Sequence, residues 1–436
     1  MLFSVFTPQT ADEGSPNNHF FYGWVIAASC SLLLAVFMGI SYSFGVFLTS
    51  LQEEFAWSRA TASTVFSLYL LLSGVLAIIG RQIANIYGPR LVILVMGVIS
   101  GLSLLLTSQV QSAWQLYFSY SLLLSIGTGA ICIIVMSTTS RWCSRQEAIA
   151  VGIVRAGAGL GIAIMVHLSA SLISAYDWRH AYLIVGIIAW AIIIPAALLL
   201  KKAPSNSKAY SDSNNQNISS KYLSTTEKAL LSSETTKNRN LWLYPVMGLS
   251  YSFCLHLVMS HLVPQAQGIG MTLTHAASLL SVIPAISIVS LLITSHYVRK
   301  IDRKAAGIIM AMLHAITMFW LVDADNMLRL YVFAVFFGIA HGGVMSLAIT
   351  TIRDKFLLSQ KGTSPKGAII GWSLGSAIGP YFGGLMFDIT GNYHFAFYCG
   401  ALMMVMASIC IWKLQTHSQP PCESREQTND KTLSNL

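Results

Sequence analysis

Twelve long apolar runs, most of them separated by short turns, constrain this chain more than anything else in it. A helix needs ~20 apolar residues to cross a hydrocarbon core ~30 Å thick, and the runs fall approximately at 22–49, 60–84, 91–110, 114–139, 147–173, 179–200, 241–264, 274–297, 305–322, 328–352, 367–387 and 393–413. Segments such as Leu91–Val110 are apolar all round, whereas the strands of a membrane barrel alternate over ~10 residues. Backbone polar groups in lipid must be satisfied within their own segment, so the expectation is an all-α membrane protein of twelve transmembrane helices. Only 10% of the residues are charged, against about a quarter in soluble proteins.

The Lys and Arg positions predict orientation. Twelve lie in short connections on one side: Arg81, Arg90, Arg141, Arg145, Arg299, Lys300, Arg303, Lys304, Arg353, Lys355, Lys361 and Lys366. The other side holds Arg59, Arg179 and Arg329. By the positive-inside rule both termini face the cytoplasm, as expected of a multi-pass protein of the plasma (inner) membrane. The net charge of +9 is therefore a topology signal and implies no nucleic acid. The expected layout is an N-terminal tail over 1–21, a six-helix bundle over 22–200, a flexible cytoplasmic linker over 201–240, a second bundle over 241–413 and a tail over 414–436. The linker is rich in Ser, Asn, Thr and Lys, too polar for lipid and too poor in apolar residues for a core.

The two halves echo each other, which predicts pseudo-symmetric bundles. Leu116-Tyr117, Gly127-Thr128-Gly129 and Thr138-Thr139-Ser140-Arg141 in span four match Leu330-Tyr331, Gly342-Gly343 and Thr350-Thr351-Ile352-Arg353 in span ten. The string GISYSF (Gly39 to Phe44) also recurs as GLSYSF (Gly248 to Phe253), but at different depths in spans one and seven.

Several strings carry a family resemblance: Tyr22-Gly23-Trp24, Phe55-Ala56-Trp57-Ser58-Arg59, Tyr87-Gly88-Pro89-Arg90, Ser140-Arg141-Trp142 and Tyr176-Asp177-Trp178-Arg179 in the first half, and Gly375-x3-Gly379-Pro380-x2-Gly383-Gly384 and Phe387-Asp388-Ile389-Thr390-Gly391 in the second. They resemble the branch of the major facilitator superfamily that contains monocarboxylate porters and oxalate/formate antiporters. The resemblance implies a secondary transporter working by alternating access on a small organic anion. Asn85, Gly88, Arg90 and Arg141 would then belong to its gating turns. Two departures stand out. Asn85 and Ile86 occupy places where the family carries an Asp and a basic residue, and Leu291 stands where carboxylate carriers of this branch often have an Arg. A carrier of a neutral or amphipathic solute therefore stays open, as does a non-transporting sensor on the same fold.

Arg155 lies about eight residues into span five, ~12 Å from its end, where a cation is costly unless it faces a partner or a wet cavity. An Arg without an acid to pair with favours an anionic ligand, because a guanidinium grips a carboxylate through two parallel hydrogen bonds. The alternative is that it snorkels, or bonds backbone carbonyls across the close contact that Gly152, Gly157, Gly159 and Gly161 permit. His256 and His341 join Arg155 as binding candidates because their spans line the central cavity in this fold, and Tyr42 and Tyr120 join from the matching helices of the first half. His167, His261 and His314 read as structural. All 17 carboxylates fall in loops, tails or helix ends, so the other expected partner, a co-transported proton, would depend on histidine or on the substrate itself.

Gly375, Gly379, Gly383 and Gly384 with Pro380 read as a packing seam or hinge, and Trp57, Trp114, Trp142 and Trp178 as an interfacial belt. The N-terminal stretch shows no signal-peptide pattern. The seven cysteines have no C-x-x-C spacing, so neither disulfides nor zinc is expected. No phosphate loop, zincin motif or nucleophile elbow is present. The expectation is a non-enzymatic protein without metal or cofactor, acting as a monomer in the bilayer.

Overall fold

The computed structural model describes residues 16–143, 146–201, 240–297, 301–358 and 366–414. The expected linker over 202–239 and the tail from 415 lie outside the described residues, as do residues 1–15. Twelve spans are present among the described residues, labelled α1 to α12 in chain order. In the first half, α1 (Tyr22–Phe55) is broken after Tyr42 and preceded by Pro16 to Phe21 of the same helix. It is followed by α2 (Arg59–Tyr87), α3 (Pro89–Thr107), α4 (Ala113–Trp142), α5 (Glu147–Ala175) and α6 (Trp178–Leu198). In the second half are α7 (Asn240–Gly268), α8 (Leu273–Tyr297), α9 (Arg303–Val322), α10 (Met327–Leu358), α11 (Lys366–Thr390) and α12 (His394–Lys413). Eleven of these are long and apolar enough to cross a membrane by length and composition. The twelfth, α11, is the glycine-rich 25-residue helix.

Local sequence explains the joints. Gly88, at φ +86°, is reached through a bond from its N–H to the Ala84 carbonyl, and Pro89 then starts α3 where a missing N–H costs nothing. Asp177 caps α6 by accepting from the His180 N–H at 2.7 Å. That bond, together with the His180 ring, holds the Asp177 carboxyl below the ordinary carboxylate range. Inside α4 a π-helical turn spans Tyr117–Leu123, and the helix is irregular again between Thr128 and Ile131.

Each half has its own buried core, and the two are built alike. Helix α1 lies along α5, and α7 lies along α11. The echo between spans four and ten has a physical counterpart. Tyr117 on α4 donates to the Thr61 carbonyl on α2 at 3.3 Å, while Tyr331 on α10 bonds Ser278 on α8 at 2.5 Å. The halves meet along α2 against α11 and α5 against α8, and more narrowly where the outer part of α1 lies on α7.

Glycines set the closeness of these contacts. A Cβ at Gly371, Gly375 or Gly379 would come within 2.0, 2.2 or 2.5 Å of the Pro245, Leu249 or Phe253 carbonyl oxygen on α7, and one at Gly384 within 2.6 Å of the Arg59 carbonyl on α2. Helices in lipid associate through such small-residue contacts because no hydrophobic force drives them together. Gly383 instead faces the His261 ring. The tryptophan belt needs one correction. Trp114 is exposed, but Trp178 is buried, edge-on to Tyr182 with its indole N–H on Glu54. Arg179 shares that carboxylate, so the motif around Trp178 ties α6 to the end of α1 rather than to a lipid surface.

Candidate functional site

Contacts between the halves concentrate at the end away from the chain termini. Thr49 donates to Gln267 at 2.8 Å, the Tyr381 N–H donates to Ser67 at 3.0 Å, and Val46, Val166 and Ala170 of the first half are embedded in the core of the second. At this end two motifs from opposite halves form one latch. The Asp388 carboxylate accepts from the first two N–H groups of α2, those of Arg59 (2.9 Å) and Ala60 (2.8 Å), where the helix dipole favours negative charge. The Arg59 guanidinium lies 3.5 Å over the Phe387 ring and donates to the Tyr393 hydroxyl. A polarised chain continues inward. His261 Nε2 sits 2.8 Å from the Pro380 carbonyl, which can only accept, so Nδ1 is free to accept from Tyr393 at 3.2 Å. His261 is thus a satisfied structural residue, as the sequence suggested.

The opposite end is different. Asn85, Ile86, Tyr87, Arg90 and Arg141 are exposed, and nothing lies within 4 Å of a Cβ at Gly88. At this end the connections of the second half at 298–300 and 359–365 lie outside the described residues.

Between the ends lies a cluster of rings and polar groups. Tyr42 is the last residue before α1 breaks at Ser43, whose N–H and hydroxyl fold back onto the Gly39 carbonyl. Its ring stacks on His256 of α7 with centroids 5.8 Å apart, and its hydroxyl reaches His256 Nε2 at 3.5 Å. His256 Nδ1 is 2.9 Å from the Ser252 carbonyl and therefore carries the proton of the neutral ring, leaving Nε2 as the acceptor toward Tyr42. Five residues back on α7, Tyr251 stacks on His341 of α10 at 5.4 Å and bonds its Nδ1. Trp372 of α11 stands against both, 5.5 Å from the Tyr251 ring and edge-on to His256 at 6.2 Å. Tyr42, His341 and Trp372 are only partly buried.

Arg155 lies on α5 and is half-buried, on the stretch of that helix that packs against α1 and α8. It makes no hydrogen bond or ion pair with another described residue. Its glycine neighbours serve packing instead: Gly157 and Gly161 abut the Ser31 and Ala35 backbone of α1, and Gly159 abuts Ile288 of α8.

Arg155 lies apart from them, since α5 sets Gly157 against Ser31 and Gly161 against Ala35 of α1, about 20 Å along the helices from Tyr42, but three of the five binding candidates, Tyr42, His256 and His341, gather in the ring cluster. Tyr120 does not. It is 1% exposed, edge-on to Tyr69 and tilted against Phe44 within the first bundle's own core, and its hydroxyl has no partner among the described residues. The structure adds Tyr251 and Trp372. The repeated GISYSF and GLSYSF strings were the signal for Tyr251, since Tyr42 and Tyr251 occupy the same place in the string. His314 is buried against Tyr251 and Phe337 with both ring nitrogens unpartnered among the described residues, and His167 is exposed.

Two like bundles, latched at one end and meeting over a polar and aromatic cluster, define a membrane transporter that works by alternating access. The chain belongs to the Major Facilitator Superfamily, whose family model matches residues 30–364. Among curated proteins it is similar to rat Monocarboxylate transporter 13, 24% identical over 405 residues that cover 89% of this chain and 88% of that one. It is also similar to human Monocarboxylate transporter 2, 23% identical over 416 residues covering 90% and 85%. Among solved structures it superposes on a D-xylose-proton symporter with a TM-score of 0.68 at 14% identity, covering 91% of this chain and 98% of that one. An inward-open structure of the xylose transporter XylE from E. coli gives the same TM-score and identity, covering 93% and 99%.

Proposed function

We propose that this protein is a proton-linked carrier of a small organic monoanion, with a monocarboxylate as its substrate. The observation that carries the reading is Arg155, a half-buried guanidinium at the bundle contact without a carboxylate or other hydrogen-bonding partner among the described residues. Relatives named as monocarboxylate transporters support the same class. In this reading Arg155 takes the carboxylate in a bidentate grip, Tyr42 and His256 line the path beyond it, and His256 and His341 supply titrating groups in spans whose described carboxylates all lie at or near helix ends. The end bearing the termini faces the cytoplasm of a plasma membrane, in keeping with the Lys and Arg count. Asn85, Gly88, Arg90 and Arg141 then belong to the inner gate, and the Gly375, Gly379, Pro380, Gly383 and Gly384 stretch forms the rigid seam. The protein acts as a monomer.

Uptake of labelled acetate, lactate and pyruvate into proteoliposomes, with and without an inward proton gradient, tests this. Gradient-stimulated uptake that is lost in Arg155→Gln is the expected result. Uptake indifferent to the gradient, or an Arg155→Gln protein that folds and transports normally, would refute it. His256→Gln and His341→Gln are expected to flatten the pH profile of uptake.

A further inference from the structure

We infer that Tyr393 and His261 are positioning residues for alternating access: they seat the Arg59 guanidinium of the first half on the second, as a bolt beside the Asp388 cap at the latched end. Arg59 is only half-buried, and its guanidinium lies over the Phe387 ring at 3.5 Å and the Tyr393 ring at 5.2 Å while donating to the Tyr393 hydroxyl. The hydrogen bonds behind it can run in one direction only. A guanidinium donates and cannot accept, and the Pro380 carbonyl accepts and cannot donate. His261 therefore carries its proton on Nε2, 2.8 Å from that carbonyl, and its Nδ1 accepts the Tyr393 hydroxyl proton at 3.2 Å, which leaves the lone pairs of Tyr393 for Arg59.

Packing holds this chain in place. Tyr393 and His261 are both 0% exposed, with ring centroids 5.0 Å apart. Two adjacent glycines of α11 seat its two ends: a Cβ at Gly383 would come within 2.4 Å of the His261 ring, and one at Gly384 within 2.6 Å of the Arg59 carbonyl. The arrangement also parts cleanly. Tyr393, His261 and Pro380 all belong to the second half, so only the bond from Arg59 crosses between halves. When the halves separate, the guanidinium passes to water and the buried donors keep their acceptors, which avoids the penalty of an unsatisfied buried group. Opening then costs one charge-assisted bond and one cation–π contact.

The test uses the full-length protein in nanodiscs, with spin labels at the exposed positions Gln111→Cys and Leu328→Cys and the distance between them read by double electron–electron resonance. Tyr393→Phe keeps the ring and removes the hydroxyl, and is expected to raise the open-to-closed ratio about ten-fold, the factor that one hydrogen bond to a charged group supplies. His261→Leu leaves the hydroxyl without its acceptor and is expected to raise the ratio about three-fold, as for one neutral bond. His261→Gln can donate to Pro380 and accept from Tyr393, so it should stay near wild type. Because His261 acts through the Tyr393 hydroxyl, adding His261→Leu to Tyr393→Phe should open the end no further. Four results would overturn the inference: an unchanged distance distribution in a folded Tyr393→Phe protein, a lowered thermal midpoint without any change in distances, His261→Gln opening the end as far as His261→Leu, or full additivity of the two substitutions.

Discussion

Replacing Asp388 by Asn tests how the outer end is held shut. The carboxylate accepts two N–H groups at the start of α2 from the opposite bundle, and Asn keeps one acceptor oxygen but loses the charge. Charge-assisted bonds are roughly twice as strong as neutral ones, and a negative charge at a helix N-terminus contributes about 0.3–1 kcal/mol where it is exposed. Asp388 is exposed, so the low end of both ranges applies, giving about 1–2 kcal/mol against the closed state and a roughly 5–30-fold shift in the closed-to-open ratio. The Arg59 stack on Phe387 remains and limits the effect. The shift can be read by double electron–electron resonance between spin labels at Gln111→Cys and Leu328→Cys, exposed positions near the outer ends of the two halves. A long-distance population that grows by that factor in Asp388→Asn is expected. An unchanged distance distribution in a folded variant would mean that Asp388 only caps a helix and does not latch the halves.

Three further outcomes follow from the geometry. Gly379→Val places side-chain atoms where the Phe253 carbonyl already lies within 2.5 Å, and since a helix backbone cannot step aside, a loss of about 1–3 kcal/mol is expected, read as a lowered midpoint in thermal unfolding of the purified protein. Arg155→Lys keeps the charge but loses the two-pronged grip, so substrate affinity should fall several-fold without loss of thermal stability; a stability loss with normal affinity would assign Arg155 to packing. Asp177→Ala removes the α6 cap and should cost about 1 kcal/mol. Because the folded-state carboxyl is held below its ordinary value, that contribution is complete above about pH 4 and fades as the pH falls through the lowered value, so wild type and Asp177→Ala should converge in stability toward acid.

The spans were legible because lipid demands long, mostly apolar helices, and eleven of the twelve meet that demand by length and composition, while the glycine-rich α11 carries a weaker signal. The same uniformity hid the site. A helix apolar all round carries no stripe to show which way Tyr42 and Tyr120 turn, and their spans ranked them alike, yet one faces His256 of the other half and the other its own bundle core. Arg155 was legible because a charge at depth needs a reason. Trp372 was not, since an aromatic near a helix start reads as a belt residue until its neighbours are known. The latch was half-visible. Both of its strings stood out, Phe55 to Arg59 and Phe387 to Gly391, but sequence gives no sign that a cap from one half and a carboxylate from the other are partners.

The contact between α2 and α11 has a mechanical consequence. Gly74 meets Ser373 where a Cβ would come within 2.4 Å of its hydroxyl oxygen, and beyond it Val75, Ile78 and Ile79 are exposed. Gly74 stands 15 residues from Arg59 and 13 from Tyr87 along α2, arms of ~22 and ~20 Å at 1.5 Å per residue. It is placed as the fulcrum of a nearly balanced beam. A tilt of about 15° about that point moves either tip by ~5–6 Å on arms of this length, so the same small rotation that parts one face of the membrane protein closes the other.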